Sequence, residues 1–250
     1  MTKEEIQTQS VQITHNLPGF LAMPPGGRRH PAILIYYEIF GLDEHFKDMA
    51  RKLAAMGYVV LVPDVMNKRA FGYDEVQKAL PVARAITDDQ FATHAHDSVT
   101  FLQSHPAVLA GHTGQIGFCL GGRWAFLAAT RLGSQIQCTV AYYGGGIDSR
   151  DPRYAAVPSL LANVSGIQCP LLLHYGAQDK AITPDEIGRI STALAAANKT
   201  FGVHVFAGAG HAFANDRRES HNPAVAAEAW NLTLAFLQRY LGTAQIPAQS

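Results

Sequence analysis

The 250-residue sequence lacks the features that mark several classes of protein. Lysine and arginine together number 20, and so do aspartate and glutamate, so the formal net charge is zero. Without a basic excess, the chain is not expected to bind nucleic acid or an anionic membrane surface. No apolar run approaches the roughly 18 residues of a membrane span. The amino-terminal sequence MTKEEIQTQS has no apolar core of a secretory signal, which favours an intracellular protein.

Cysteine is scarce, and none of the three residues Cys119, Cys138 and Cys169 forms a CxxC pair. An odd number of cysteines without a secretory signal does not favour a disulfide framework. An apolar share of 48% with 16% charged residues is typical of a globular protein with a substantial core, not of a disordered chain. No linker-like tract divides the sequence, so we expect one domain over residues 1–250.

Short apolar runs alternate with stretches that repeat apolar residues at helical spacing. The runs predict strands at residues 31–37, 58–62, 114–118, 137–142, 170–175 and 201–206. The periodic stretches predict helices at residues 46–56, 88–104, 122–132, 184–197 and 223–241. This alternation indicates the α/β class, with a doubly wound, mostly parallel sheet and helices on both faces. In such sheets ligands bind at the carboxyl ends of the strands.

The clearest chemical signal is the segment GFCLGG, which follows the strand predicted at residues 114–118. It matches the G-x-S-x-G nucleophile elbow with Cys119 in place of serine, and the tight turn explains the flanking glycines. The helix that follows favours a thiolate at its amino terminus, and the N–H of Leu120 is suited to bind an oxyanion. The alternative is a buried core cysteine, a common environment for an unpaired one.

A general base and an orienting acid are expected at the ends of two later strands. His211 follows the last predicted strand through the small-residue loop AGAG, and Asp179 follows a glycine turn after the strand at residues 170–175. The order Cys119, Asp179, His211 is that of nucleophile, acid and base in α/β-hydrolases. The alternatives are a turn-initiating role for Asp179 and a loop histidine without a role.

Glu38 and a group of histidines and an aspartate on one predicted helix are further ionisable residues of interest. Glu38 ends the strand at residues 31–37, and a carboxylate there is costly unless it is used, so we expect it to face the nucleophile. The N–H of Ile39 in the same loop is the natural second oxyanion donor. His94, His96 and Asp97 do not share one helix face, which favours a solvated surface over a metal site.

Taken together, these segments resemble the dienelactone hydrolase family, also called carboxymethylenebutenolidases, within the α/β-hydrolases. The resemblance is carried by YYEIFGL, MARKLAAMGYVVLVPDV, GQIGFCLGGRWAF, HYGAQD and GAGHAFAND. It implies an α/β-hydrolase fold, a Cys119–His211–Asp179 triad, and Glu38 coupled to the resting thiol. It further implies a small ester or lactone substrate, such as the enol-lactones of aromatic degradation, no cofactor or metal, and a cytoplasmic enzyme.

The sequence departs from this family at one position. Better-known members carry an arginine four residues after the triad histidine, where it holds a substrate carboxylate, but this chain has Asn215 there, with Arg217 and Arg218 just beyond. We therefore expect a weaker dependence on substrate charge. The weaker candidates for substrate contacts, besides Asn215, are Arg84, Arg69 and Tyr143.

Two other function classes stay open at this point. One is a dinucleotide-binding protein, although the glycines around Cys119 do not fit G-x-G-x-x-G and no acidic residue ends the following strand. The other is a hydrolase-like protein without catalytic activity, which the complete set of triad residues argues against.

Overall fold

An eight-stranded, mostly parallel sheet runs through the computed structural model, which describes residues 5–148, 150 and 157–242. The strand order is β1-β2-β4-β3-β5-β6-β7-β8. Strands β1, β2 and β4 pair antiparallel, and all the other neighbours pair parallel. The strands are β1 Gln7–Thr14, β2 Leu17–Met23, β3 His30–Tyr36, β4 Val59–Pro63, β5 Val108–Phe118, β6 Cys138–Tyr142, β7 Leu171–Gly176 and β8 Phe201–Phe206.

Helices cover the sheet on both sides. Within the described residues they are α1 Glu44–Ala55, α2 Val76–Arg84, α3 Asp88–Ser104, α4 Leu120–Leu132, α5 Pro184–Ala196 and α6 Pro223–Leu241, with short 3-10 helices at Gly133–Gln135 and Leu161–Gly166. In β5, a Cβ atom on Gly114 would meet Leu241 of α6, whereas Gln115 donates to the carbonyl of Ala125 in α4. Because successive strand residues point to opposite faces, α4 and α6 lie on opposite sides of the sheet.

The predicted fold class is confirmed, with element ends shifted by a residue or two in most cases. Two local signals are also present: Asn222 caps α6 by accepting from the Val225 N–H, and Gly57 after α1 takes a φ of +97°. None of the described helices is both long enough and apolar enough to cross a membrane.

Some elements were not predicted. Strand β1 (QTQSVQIT) is an edge strand whose side chains are mostly exposed, so it carries little apolar pattern. Helix α2 contains Pro81 and buries only Ala79 and Ala83, so its helical periodicity is weak. Strand β5 begins at Val108, earlier than predicted. The sequence did not predict this first part of the strand because residues 109–111 are exposed and form no buried run.

The strand register brings three of the predicted residues side by side. Tyr36 of β3 lies opposite Gly117 of β5, and Phe118 of β5 lies opposite Tyr142 of β6. Glu38 follows Tyr36 by two residues, as Cys119 follows Gly117. Tyr143 directly follows Tyr142, as Cys119 follows Phe118. The register therefore predicts that Glu38 and Tyr143 stand at the level of Cys119, one on each side.

Candidate active site

Cys119 lies on a sharp turn between β5 and α4, with φ +55° and ψ −117°. A non-glycine residue at positive φ is strained, and such strain is common at functional sites. The turn also requires glycine on both sides of the cysteine. A Cβ on Gly117 would lie 1.8 Å from the Gly121 carbonyl oxygen, and a Cβ on Gly121 would lie 2.1 Å from that of Tyr36. The elbow sequence thus exposes the thiol by packing backbone directly against backbone.

The structure brings together the three residues predicted from their order in the chain. The Nε2 atom of His211 lies 3.1 Å from Cys119 Sγ, and its Nδ1 atom lies 2.7 Å from Asp179 Oδ2. The other oxygen of Asp179 accepts a hydrogen bond from the Ala181 N–H at 2.8 Å, which fixes the carboxylate. Burial alone would lower the pKa of His211, but the charges and hydrogen bonds of Cys119 and Asp179 raise it well above its usual value.

Two residues of the cleft carry the backbone N–H groups predicted as oxyanion donors. The segment after β3 runs along the elbow, because the Gly121 N–H donates to the Tyr37 carbonyl oxygen at 3.1 Å. Leu120 and Ile39 line the same cleft as Cys119, and the N–H of neither residue donates to an acceptor within the described part of the chain. The assignment of these two groups as oxyanion donors stays a prediction, and the lack of an internal acceptor is compatible with it.

Glu38 is completely buried, and one of its oxygens accepts two hydrogen bonds. Asn215 Nδ2 and Arg218 Nη1 each lie 3.3 Å from Glu38 Oε2. The other oxygen, Oε1, has no hydrogen-bond partner among the described residues. Asn215 Nδ2 also donates to the Tyr73 hydroxyl at 3.2 Å, and that hydroxyl donates to Asp43 Oδ2 at 2.5 Å. Asn215 thus positions Glu38 from inside the fold.

Arg218 is the residue that sequence reasoning noted but did not place in the site. Its guanidinium lies over the rings of Phe40 and Tyr73, 5.2 and 5.8 Å from their centroids, and it lines the cleft. The Arg218 N–H donates to the Asn215 carbonyl, so one turn of backbone separates the two side chains and both reach Glu38. Arg217 instead pairs with Asp48 at the surface, 2.7 Å away.

The cleft above the thiol has a volume of about 830 Å³. Its lining is largely apolar and includes Ile39, Phe40, Leu80, Ile86, Leu120, Trp124, Val157 and Leu160, with Cys119 and His211 among them. Arg84 lies in the wall, as expected of a substrate contact. Asn215 and Tyr143 are fully buried and are not among the lining residues, and Arg69 is not among them either. The apolar lining suits the uncharged body of a small organic molecule.

Arg123 connects the segments that frame one side of this cleft. Its guanidinium donates to both oxygens of Asp88, at 2.5 and 2.9 Å, from the start of α4 to the start of α3. It also donates to the carbonyl oxygens of Gly146 and Pro158, at 2.9 and 3.1 Å. This buried arginine therefore links the loop after β6 and the wall around Pro158 to the starts of α3 and α4.

The three residues of α3 that the sequence analysis placed on a solvated surface do not line the cleft. His94, His96 and Asp97 are on α3, with His96 exposed, and His94 half-buried so that desolvation lowers its pKa. Within residues 5–148, 150 and 157–242, no group of three or more His, Cys, Asp or Glu side chains is arranged to hold a metal ion.

Comparison with known proteins identifies the family. The sequence profile of the dienelactone hydrolase family matches residues 17–241. A protein of Synechocystis sp. assigned as a carboxymethylenebutenolidase is 28% identical over 242 residues, which covers 94% of this chain and 95% of the relative. A Bradyrhizobium sp. protein assigned as a 2-oxo-3-(5-oxofuran-2-ylidene)propanoate lactonase is 30% identical over 224 residues, 89% of each chain.

A solved structure shows the same architecture. The crystal structure of a Klebsiella pneumoniae protein assigned as a dienelactone hydrolase superposes with a TM-score of 0.84 at 27% identity, covering 94% of this chain and 99% of that one. The fold is thus the α/β-hydrolase fold expected from the sequence. The chain is a hydrolase that belongs to the dienelactone hydrolase family.

Proposed function

We propose that the protein hydrolyses enol-lactones or other activated carboxylic esters through a Cys119–His211–Asp179 triad and a thioester intermediate. The observation that carries this proposal is the continuous line of contacts from Cys119 Sγ through the His211 ring to Asp179 Oδ2. This line begins in a cleft of about 830 Å³, two of whose residues carry the backbone N–H groups predicted as oxyanion donors. One core cluster contains side chains from Leu17 to Leu241, which supports a single domain.

The arrangement supports a two-step reaction. His211 Nε2 takes the thiol proton while Cys119 Sγ bonds to the carbonyl carbon, and the N–H groups of Leu120 and Ile39 bind the developing oxyanion. When the carbon–oxygen bond breaks, the enolate leaves and accepts the proton from His211. Water then attacks the thioester, His211 takes its proton, and that proton returns to sulfur as the acid is released. Asp179 holds the imidazole in the required tautomer throughout.

The use of sulfur selects the leaving group. In the tetrahedral intermediate the thiolate is a weaker base than an alkoxide, so an adduct of an ordinary alkyl ester expels the thiolate and reverts. Enolates and phenolates leave readily, so their esters proceed to the acyl-enzyme. The substrate class that fits Cys119 is therefore the enol-lactone or aryl ester and not the alkyl ester or amide.

Two further groups would adapt the site to an anionic substrate. Glu38 would oppose a second negative charge on Cys119 and so favour the protonated thiol in the resting enzyme. Arg218 would bind a substrate carboxylate at the cleft, in the role that Asn215 is too deeply buried to take. The name of the Bradyrhizobium relative's substrate, a lactone bearing a carboxylate on an ylidene side chain, supports this combination.

The test compares kcat/KM for an aryl or enol ester with that for the matched ethyl ester, using the purified protein. We expect the activated ester to be favoured by at least about 100-fold on leaving-group grounds. In Cys119→Ser the preference should narrow, because serine oxygen and ethoxide are leaving groups of similar basicity. Equal rates on both esters in the unmodified protein would refute the leaving-group argument, and absence of turnover on any ester or lactone would favour a non-catalytic role.

A further inference from the structure

Tyr143 and Glu38 flank the nucleophile from neighbouring strands. The pairing of Tyr36 with Gly117 and of Phe118 with Tyr142 puts both residues level with Cys119. The Cys119 N–H donates to the Tyr142 carbonyl oxygen at 3.0 Å, which joins the elbow directly to the segment that carries Tyr143. Adjacent strands are about 4.8 Å apart, so both side chains begin within reach of the thiol.

Tyr143 is held in an unusual conformation. It is fully buried and takes a φ of +38°, which is a strained value for a residue with a bulky side chain. Its N–H donates to the His174 carbonyl oxygen at 2.6 Å, and its ring centroid lies 5.2 Å from that of His211 and 5.3 Å from that of Phe213. Strain of this kind persists where the surrounding structure fixes a residue, and it concentrates at functional sites.

Each of the two flanking residues carries a buried polar atom without a partner. Neither the Tyr143 hydroxyl nor Glu38 Oε1 has a hydrogen-bond partner among the described residues. One atom is a donor and the other is an acceptor, so each supplies what the other lacks. Burial raises the pKa of Tyr143 well above its usual value, and the charges of Glu38 and Cys119 raise it further, so the hydroxyl keeps its proton and acts as a donor.

We propose that Tyr143 is a positioning residue for Glu38: its hydroxyl is linked to Glu38 Oε1 through one buried water and holds the carboxylate beside Cys119. This inference rests on the proposed role of Cys119 as the nucleophile. Glu38 Oε2 is already bound by Asn215 and Arg218. Tyr143 would complete the set of donors on the side of β6, and its burial excludes a direct contact with substrate.

The test measures how fast iodoacetamide alkylates Cys119 as a function of pH, which requires no substrate and no turnover. The ionisable groups around Glu38 that enter the profile are Cys119, His211, Arg218, Tyr73 and Tyr143. Peptide mass spectrometry identifies the modified cysteine. We expect modification at Cys119, since Cys138 and Cys169 are buried. The variants are Tyr143→Phe, Glu38→Gln and the double variant. The matched control is Tyr36→Phe, because the Tyr36 hydroxyl is also buried without a partner among the described residues but lies on β3, next to Phe91.

In Tyr143→Phe, Glu38 loses a donor and its charge opposes the thiolate more strongly. We expect the midpoint of the alkylation profile to rise by about one pH unit, or a roughly tenfold slower reaction at a fixed pH below the midpoint. We expect no such shift in Tyr36→Phe, nor when Tyr143→Phe is added to Glu38→Gln. An unchanged or lowered midpoint overturns the proposal. If Tyr143→Phe raises the midpoint equally in the unmodified protein and in Glu38→Gln, the proposal is also overturned, because Tyr143 would then act on the Cys119 thiolate directly.

A crystal structure of the unmodified protein gives a second test that does not depend on the folding of a variant. We expect one water bonded to both the Tyr143 oxygen and Glu38 Oε1. Separate partners for the two atoms overturn the proposal. A protein that fails to hydrolyse esters but shows the expected alkylation shifts would refute the proposed function and leave the Tyr143–Glu38 link intact.

Discussion

Asn215 and Arg218 donate to the same oxygen of Glu38, each at 3.3 Å, yet only Arg218 reaches the cleft. Asn215 is buried and uncharged, so its contact is part of the fold. The Arg218 side chain is 23% exposed and lines the cleft, so the substrate carboxylate proposed above would compete with Glu38 for its guanidinium.

Arg218→Gln is expected to raise KM for carboxylated lactones by roughly 10- to 100-fold, because a charge-assisted hydrogen bond is lost. The KM for a neutral lactone of the same size should change little. Arg217→Gln is the matched control, since Arg217 pairs with Asp48 at the surface and does not line the cleft. Equal effects on charged and neutral lactones would show that Arg218 does not recognise the carboxylate.

Cys119→Ala is expected to lower kcat/KM for an aryl ester by several orders of magnitude, because the nucleophile is lost. The melting temperature should stay near that of the unmodified protein, since the elbow glycines set the backbone. Cys169→Ala serves as the control for thiol loss, because Cys169 is buried against Thr139 and does not line the cleft. Near-normal activity of Cys119→Ala would contradict the assignment of the nucleophile.

His211→Ala should cost about as much activity as loss of Cys119, because the members of a triad act as a unit. Asp179→Asn should cost less, about 10²- to 10⁴-fold, since it leaves the imidazole in the wrong tautomer. His221→Ala is a suitable control, because His221 does not line the cleft. Steady-state kinetics on one aryl ester measure all three variants, and an Asp179→Asn variant with full activity would remove Asp179 from the mechanism.

Glu38→Gln is expected to move the pH midpoint of Cys119 alkylation to lower pH, because removing a buried negative charge favours the thiolate. The same variant should be oxidised faster by peroxide, since the thiolate is the reactive form. Exposed Glu219 offers the control Glu219→Gln. An unchanged alkylation profile would show that Glu38 is only a structural residue of the loop.

Stability should fall in acid because of a buried histidine outside the proposed triad. Burial lowers the pKa of His174 from 6.5 to about 3, and His204 adds to the effect. Below pH 6.5 the His174 side chain binds a proton in the unfolded chain but stays neutral in the folded chain. The free energy of unfolding contributed by this residue therefore falls by about 1.4 kcal/mol per pH unit from pH 6.5 towards pH 3.

Urea titrations between pH 7 and pH 4 measure this slope. In His174→Gln the slope should be smaller by that amount, whereas His96→Gln, on the exposed surface of α3, should keep the slope of the unmodified protein. Identical slopes in all three proteins would show that His174 is protonated in the folded state.

The sequence predicted the candidate site best where the steric rule for the elbow turn and the order of the triad residues along the chain point to the same positions. The glycines around Cys119, the position of Asp179 after β7 and the position of His211 after β8 were all readable, because each rests on local backbone geometry. The proposed role of Arg218 could not be predicted from the sequence, because it depends on a turn that brings residues 215 and 218 to the same carboxylate. Spacing along the chain pointed to Asn215, which the turn directs into the fold.

Edge elements were missed for a different reason. The apolar pattern of a segment reports how much of it is buried, and β1 has little buried surface. Its pairing with β2 is set by backbone hydrogen bonds, which every sequence can make. Helix α2 likewise buries only Ala79 and Ala83 fully, too few residues to produce a recognisable apolar period.

The four hydrogen bonds of Arg123 bear on how enzymes of this kind change specificity. The triad is mounted on the ends of β5, β7 and β8, whereas the wall near Pro158 joins the body through contacts in which no triad side chain takes part, from Arg123 to Pro158, from Ser159 to Asp148 and from the Leu160 N–H to the Ile147 carbonyl. Mutations in that wall can therefore accumulate while the catalytic geometry stays constant. A library that varies residues 157–163 and keeps Arg123 and Asp88 is the natural starting point for directed evolution towards larger lactones.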